Sequence, residues 1–226
     1  MCNVENRALY LLLFFWISVD LCFAGEKISK GRVANIKTSE VIFFDALKNT
    51  KTFKAKFKQE QVSNSGKPLI FTGSVVFSRP NRLKWEILQP YIQLQLLRGK
   101  EFLIYDPDLE QVSVSELKDD LNSTPAGLLF NSGPNAETIF KKKYNIFTAP
   151  SRQKLNWILA IPKGKEDNSA TLEVGVRNTA VIEQIITTDI FGKVSKITFS
   201  DIQTNKTIKE SQFIPIIPKG VEYIEQ

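Results

Sequence analysis

The sequence predicts a mainly β fold with a few helices, built on about eleven antiparallel strands at roughly 8–12 residue spacing. Three observations carry that reading. Apolar and charged residues alternate with period two through most of the chain, as half-buried strands require. Clusters of Gly, Pro, Asn, Asp and Ser punctuate the alternation. The pattern breaks once in the middle, between Leu121 and Tyr144, where an apolar stretch reads as helix.

The elements follow in order. SEVIFFDALKN predicts an amphipathic helix with Ser39 as cap and Val41, Ile42, Phe44 and Leu47 on its apolar side. TFKAKFKQEQV predicts a strand with Phe53, Ala55 and Phe57 on one face and Lys54, Lys56 and Lys58 on the other. SNSGK turns the chain into PLIFTGSVVFS, where Phe71, Val75 and Phe77 are in phase. In SRPNRLKWEILQP, Leu83, Trp85 and Ile87 interleave with Arg82, Lys84 and Glu86, and Arg79 sits against a proline at the strand mouth. YIQLQLLRG places Ile92, Leu94 and Leu96 opposite Gln93 and Gln95. EFLIYD and LEQVSVS form a hairpin around Asp106-Pro107-Asp108, where proline presets φ and Asp106 caps the turn.

Thr124-Pro125 then starts a helix, with proline at the first helical position. It carries Leu128, Leu129 and Phe130 and stops at Gly133-Pro134, and a second short helix runs through Thr138 and Phe140. Strands resume with YNIFTA, KLNWILAIP, ATLEVGVRN, VIEQIITTDIFG, KVSKITFSDIQTN and SQFIPIIP, with a hairpin turn at Ile190–Lys193. A sheet of this length curls because strands twist. The pattern leaves two readings open. The helices either plug its hollow side or leave a cavity lined by Phe, Trp, Leu and Ile.

The N-terminus is a separate matter. Arg7 precedes an unbroken apolar or neutral run from Ala8 to Val19, and CFA ends in Ala24. This predicts a cleavable signal peptide, residues 1–24, followed by a single domain, 25–226. The alternatives are a membrane anchor, for which the run is short, and a lipidated Cys22, which bulky Leu21 disfavours. Both cysteines, Cys2 and Cys22, fall in this leader. Its removal takes away one basic residue and two acidic ones, so the remainder is more basic than the whole chain, whose net charge is +6. For an exported protein, anionic lipid headgroups or an acidic protein suit that charge better than nucleic acid, and solubility alone accounts for it equally.

Composition excludes much chemistry. The chain has no histidine and no cysteine beyond the leader. Ser-His-Asp and Cys-His machinery and the usual zinc sites are therefore ruled out. No glycine-rich phosphate loop is present. Asp106, Asp108 and Glu110 offer carboxylates, but in a turn context. The sequence describes a binder, not an enzyme, with no cofactor and no metal expected.

Four stretches now carry a resemblance: SRPNRLKWEILQP, GKEFLIYDPDLEQV, STPAGLLF and FIPIIPKGV. In this order they resemble the LolA family, the periplasmic outer-membrane lipoprotein carriers of Gram-negative bacteria, over essentially the whole mature chain. The resemblance implies an open, curled antiparallel half-barrel with a helical lid over an apolar cavity. It implies a chaperone that takes acylated lipoproteins from the inner-membrane ABC transporter LolCDE and hands them to the outer-membrane acceptor LolB or an equivalent. A monomer is expected. Arg79 falls on the arginine that hydrogen-bonds the lid and latches the empty carrier. Leu83 falls on the partner-contact mouth, where many members carry an aromatic. Leu128, Leu129 and Phe130 fall on the lid. The lipid-cavity lining then falls on Phe57, Phe71, Val75, Phe77, Trp85, Ile87, Leu94 and Leu96. Other readings of the same fold are a membrane-anchored acceptor of the LolB kind and a periplasmic lipid-binding or sensor module.

The physical need is plain. Each buried methylene contributes about 0.8 kcal/mol, so acyl chains of about sixteen carbons cost tens of kcal/mol to expose to water. A carrier must be dry and loosely fitted, so that it can also release.

Overall fold

The structure is a computed structural model that describes residues 37–62, 67–116, 127, 133–164 and 170–225. The first element is helix α1, Ser39–Asn49. Its cap is Thr38, one residue earlier than the sequence suggests, whose hydroxyl accepts the Val41 N–H at 3.3 Å. Ser39 is instead buried against the fold. The face turned inward carries Ile42, Phe43, Phe44, Ala46 and Leu47, while Val41 is exposed.

Six strands follow as a meander: β1 Thr52–Val62, β2 Pro68–Ser78, β3 Arg82–Gln89, β4 Gln93–Arg98, β5 Glu101–Asp106 and β6 Gln111–Glu116. Helix α2, Ala136–Lys143, leads into a second meander. Its strands are β7 Tyr144–Arg152, β8 Leu155–Pro162, β9 Thr171–Val176, β10 Ile182–Thr188 and β11 Val194–Thr204. The two meanders join where β11 pairs antiparallel with β1. A final strand, β12 Glu222–Glu225, lies parallel to β6. Among the described residues the result is a 12-stranded sheet in the order β12-β6-β5-β4-β3-β2-β1-β11-β10-β9-β8-β7, with β7 and β12 at its edges. The fold is thus an open, mainly β sheet with helices on one face.

Both faces are covered, and the sequence shows why. On the inner face, α1 and α2 pack with the alternate apolar positions of β1, β2, β3 and β8–β11 into the main core. On the outer face, Val76, Leu96, Leu103 and Val112 form a second cluster beneath Phe213, Ile208, Ile217 and Val221 of the C-terminal segment. SQFIPIIP is therefore not a strand. Pro215 and Pro218 lack the N–H that a ladder needs. The segment forms a 3-10 turn at Glu210–Phe213 and then crosses the outer face. An Arg82–Glu210 ion pair fastens that turn to β3.

Candidate functional site: an aromatic inner face with an arginine at its rim

The register of β1, β2 and β3 assembles the inner face. Phe57 lies opposite Gly73, Val75 opposite both Ala55 and Trp85, and Phe77 opposite both Phe53 and Leu83. Gly73 has a specific reason to be glycine. A Cβ there would sit 1.9 Å from the Glu86 carbonyl oxygen and 2.8 Å from Phe57 Cζ. Its absence lets the Phe57 ring settle over the strand and reach Trp85, with ring centroids 4.3 Å apart. Phe199 of β11 meets Trp85 edge-on at 6.4 Å, and Phe53 at 5.4 Å. Phe53 stacks on Phe77 at 5.4 Å. Such offset and edge contacts add roughly 0.5–1.5 kcal/mol per pair beyond area burial. The aromatic row continues onto the helices, where Phe140 contacts Phe43 at 5.2 Å and stacks on Tyr144 at 4.9 Å.

Six expected lining residues, Phe57, Phe71, Val75, Phe77, Trp85 and Ile87, share this face and this core. Trp85 is only 5% exposed. Two do not. Trp85 lies opposite Gln95 and Ile87 opposite Gln93, so the glutamines share their face and Leu94 and Leu96 point outward. Leu96 belongs to the outer cluster, and Leu94 lines a cavity of about 470 Å³ between the sheet and the C-terminal segment. Gln95 Nε2 donates to Gln93 Oε1 at 3.1 Å, which links the two amides on the inner face. Leu83 is also corrected. At 1% exposed, packed in the main core opposite Phe77 and Leu97, it offers no surface to a partner. A leucine there lies flush within the sheet. Phe53, which the sequence places on the face of Phe57, and Phe199 join the aromatic row, although neither is among the expected lining residues. Both alternate in phase with Phe57 and Ile197 respectively, which is the signal that marks them.

Arg79 stands in the β2–β3 turn, its N–H donating to the Lys51 carbonyl at 3.0 Å. The next turn residue but one, Asn81, takes the left-handed conformation at φ 56°, which asparagine tolerates. The Arg79 guanidinium carbon lies 5.4 Å from the centroid of the Phe77 ring. Its Nε is buried with no hydrogen-bond partner, and it has no carboxylate partner among the described residues. Burial holds its pKa down at about 10, well below the ordinary arginine range. A donor that is desolvated yet unused stands at the edge of the aromatic face. Leu128, Leu129 and Phe130, the expected lid, lie outside the described residues.

The Asp106 carboxylate is committed to its turn, accepting the N–H groups of Asp108 and Leu109 at 3.1 and 3.3 Å. Among the described residues no group of three His, Cys, Asp or Glu could hold a metal.

An open, largely antiparallel sheet, aromatic on one face and backed there by helices, defines a half-barrel suited to apolar material. The chain belongs to the LolA family: residues 48–215 match the family described as outer membrane lipoprotein carrier protein LolA. It is 30% identical over 213 residues to an outer-membrane lipoprotein carrier protein of Nitrosomonas europaea, covering 94% of this chain and 98% of that one. It is 33% identical over 180 residues to the protein of that name in Cupriavidus pinatubonensis, covering 78% and 82%. In fold it is similar to an uncharacterized conserved protein of Thermus thermophilus, with TM-score 0.53, 12% identity and 83% and 97% coverage.

Proposed function

We propose that this chain is a periplasmic chaperone that holds the acyl chains of lipoproteins against its aromatic inner face and carries them to the outer membrane. The observation that carries this reading is the continuous aromatic row from Phe53 and Phe57 through Trp85 to Phe199, in a chain of the LolA family. Rings and branched aliphatics grip acyl chains without direction, so they hold any chain and release it without breaking specific bonds. The mature protein begins after Ala24 as one domain, residues 25–226. Cargo arrives from LolCDE and leaves to LolB or an equivalent acceptor.

In this scheme Arg79 is the latch. Its unused donors bond carbonyls of the lid, Leu128, Leu129 and Phe130, when the carrier is empty, and loading parts them. A planar guanidinium suits this because it can serve several carbonyls at once. The test is uptake from inner-membrane vesicles that contain an acylated lipoprotein. The protein is expected to draw it into solution as a complex. Failure to solubilise any lipoprotein, with the transporter active on another carrier, counts against the reading.

A further inference from the structure

The two ends of the sheet differ in character. Gln61 lies opposite both Ser195 and Leu69, Thr72 opposite Gln89, and Leu94 opposite Tyr105. The ends of the β1–β2, β3–β4, β5–β6 and β10–β11 connections therefore share one rim. Val62, Tyr91, Ile92, Leu109, Ile190 and Phe191 all stand exposed there. The opposite rim carries the β2–β3, β4–β5, β7–β8 and β9–β10 turns, and no large apolar side chain is exposed in them among the described residues.

The β10–β11 hairpin shows that this exposure is no by-product of folding. The Gly192 N–H donates to the Asp189 carbonyl at 3.0 Å, and the Asp189 N–H to the Lys193 carbonyl at 3.1 Å. Asp189 Oδ1 accepts the N–H groups of Phe191 and Lys193, both at 2.9 Å. Gly192 supplies the positive φ of 78°. The turn is closed by backbone and by one aspartate, and polar residues would serve at its tip. Instead it presents Ile190 at 57% exposed and Phe191 at 87%.

We propose that this rim, centred on the β10–β11 tip, docks onto the surface of an anionic lipid bilayer. Three features select a bilayer. On the β1–β2 and β10–β11 side the apolar residues project from separate turns as points, which a fluid interface accepts, whereas Ile92 further along the rim borders the cavity under the C-terminal segment. Lys67 and Lys193 are exposed beside them without an ion pair among the described residues, while the nearby Asp189 carboxylate is turned to its own backbone. Apolar tips flanked by lysine, in a chain of net charge +6, match an anionic interface. The β5–β6 tip is acidic, with Asp108 and Glu110, so contact centres on the β1–β2 and β10–β11 side. This docking is independent of the carrier reading, since it uses none of the inner face.

The test is flotation of the processed protein, its N-terminus fixed by mass spectrometry. The vesicles are phosphatidylethanolamine with phosphatidylglycerol, against phosphatidylcholine alone. Co-flotation is expected on the anionic vesicles and should weaken with added salt. Ile190→Ser with Phe191→Ser should weaken it about tenfold or more, because most of these two side chains faces solvent until they insert. Lys67→Glu with Lys193→Glu should weaken it at least about tenfold on anionic vesicles only. Both variants should melt as the parent does, as their positions are exposed. The proposal is overturned if the parent floats with neither vesicle, or if the Ile190/Phe191 variant floats as the parent does. It is equally overturned if the tip substitutions leave flotation intact yet abolish transfer to a purified acceptor protein, which would make the rim a protein contact.

Discussion

Replacing Arg79 with leucine separates the fold from the latch. In the structure the guanidinium faces the Phe77 ring at 5.4 Å, a contact that contributes about 0.5–2 kcal/mol. Against it stands a buried Nε with no partner, which costs about 1–3 kcal/mol. The two terms oppose each other, so Arg79→Leu should change stability by no more than about 1–2 kcal/mol. At this chain length that moves Tm by a few degrees, at about 2–4 °C per kcal/mol. The latch has no such offset. If Arg79 acts as proposed, two charge-assisted bonds to lid carbonyls, at about 1.5 kcal/mol each, would shift the closed–open balance by about two orders of magnitude. Uptake from inner-membrane vesicles should therefore persist, and delivery to the acceptor should fail, because reclosing no longer helps expel the lipid. Arg79→Lys should be intermediate, keeping the charge and losing the planar fork. Uptake and delivery are measured separately, beside a thermal melt. A variant that loads poorly but delivers whatever it holds gives the latch the wrong sign, and a variant that fails to fold refutes the offset. The pH dependence follows the same burial. The folded pKa of about 10 lies below the ordinary arginine range, so as pH climbs above about 10 the unfolded chain binds more protons. Parent stability should rise relative to Arg79→Leu as pH climbs through that window, and equal slopes would contradict the desolvation.

Gly73→Val should destabilise the fold by about 3 kcal/mol or more, since its Cβ would meet the Glu86 carbonyl at 1.9 Å with nothing flexible to yield; a denaturant melt reads this. Trp85→Leu, which keeps the site apolar, should weaken binding of a fluorescent fatty acid while circular dichroism still reports a folded sheet, and unchanged probe affinity would remove Trp85 from the lipid surface. Leu96→Ala should cost about 2–5 kcal/mol through the outer cluster yet leave probe affinity in the folded protein unchanged, because it faces away from the aromatic row.

Much of the architecture is written in period-two alternation. Phe53, Ala55 and Phe57 against three lysines fix which face of β1 turns inward, because one side must be apolar and the other is charged. The same logic carries through Phe71, Val75, Phe77 and Trp85. It fails at β4 for a physical reason. There the sheet is covered on both sides, and Leu94 and Leu96 are apolar because the C-terminal segment lies over them. Alternation reports that a face is buried, not which layer buries it. The long-range return of residues 208–221 is what the local pattern cannot express. Its prolines were the available sign that SQFIPIIP was no ladder strand. Arg79 was legible from its place beside a proline at a strand mouth, whereas its unpartnered Nε required the packed structure.

In the proposed carrier, acyl chains lie on the inner, aromatic face. Photo-crosslinking residues placed at Phe57, Trp85 and Phe199, and in parallel at Lys54, Leu94 and Lys84 on the outer face, test it directly on protein loaded with an acylated lipoprotein. Crosslinks to the lipid moiety are expected from the inner positions and not from the outer ones. Crosslinks confined to Leu94 and its outer neighbours, or none from Trp85 in a protein that demonstrably holds lipoprotein, would contradict the account.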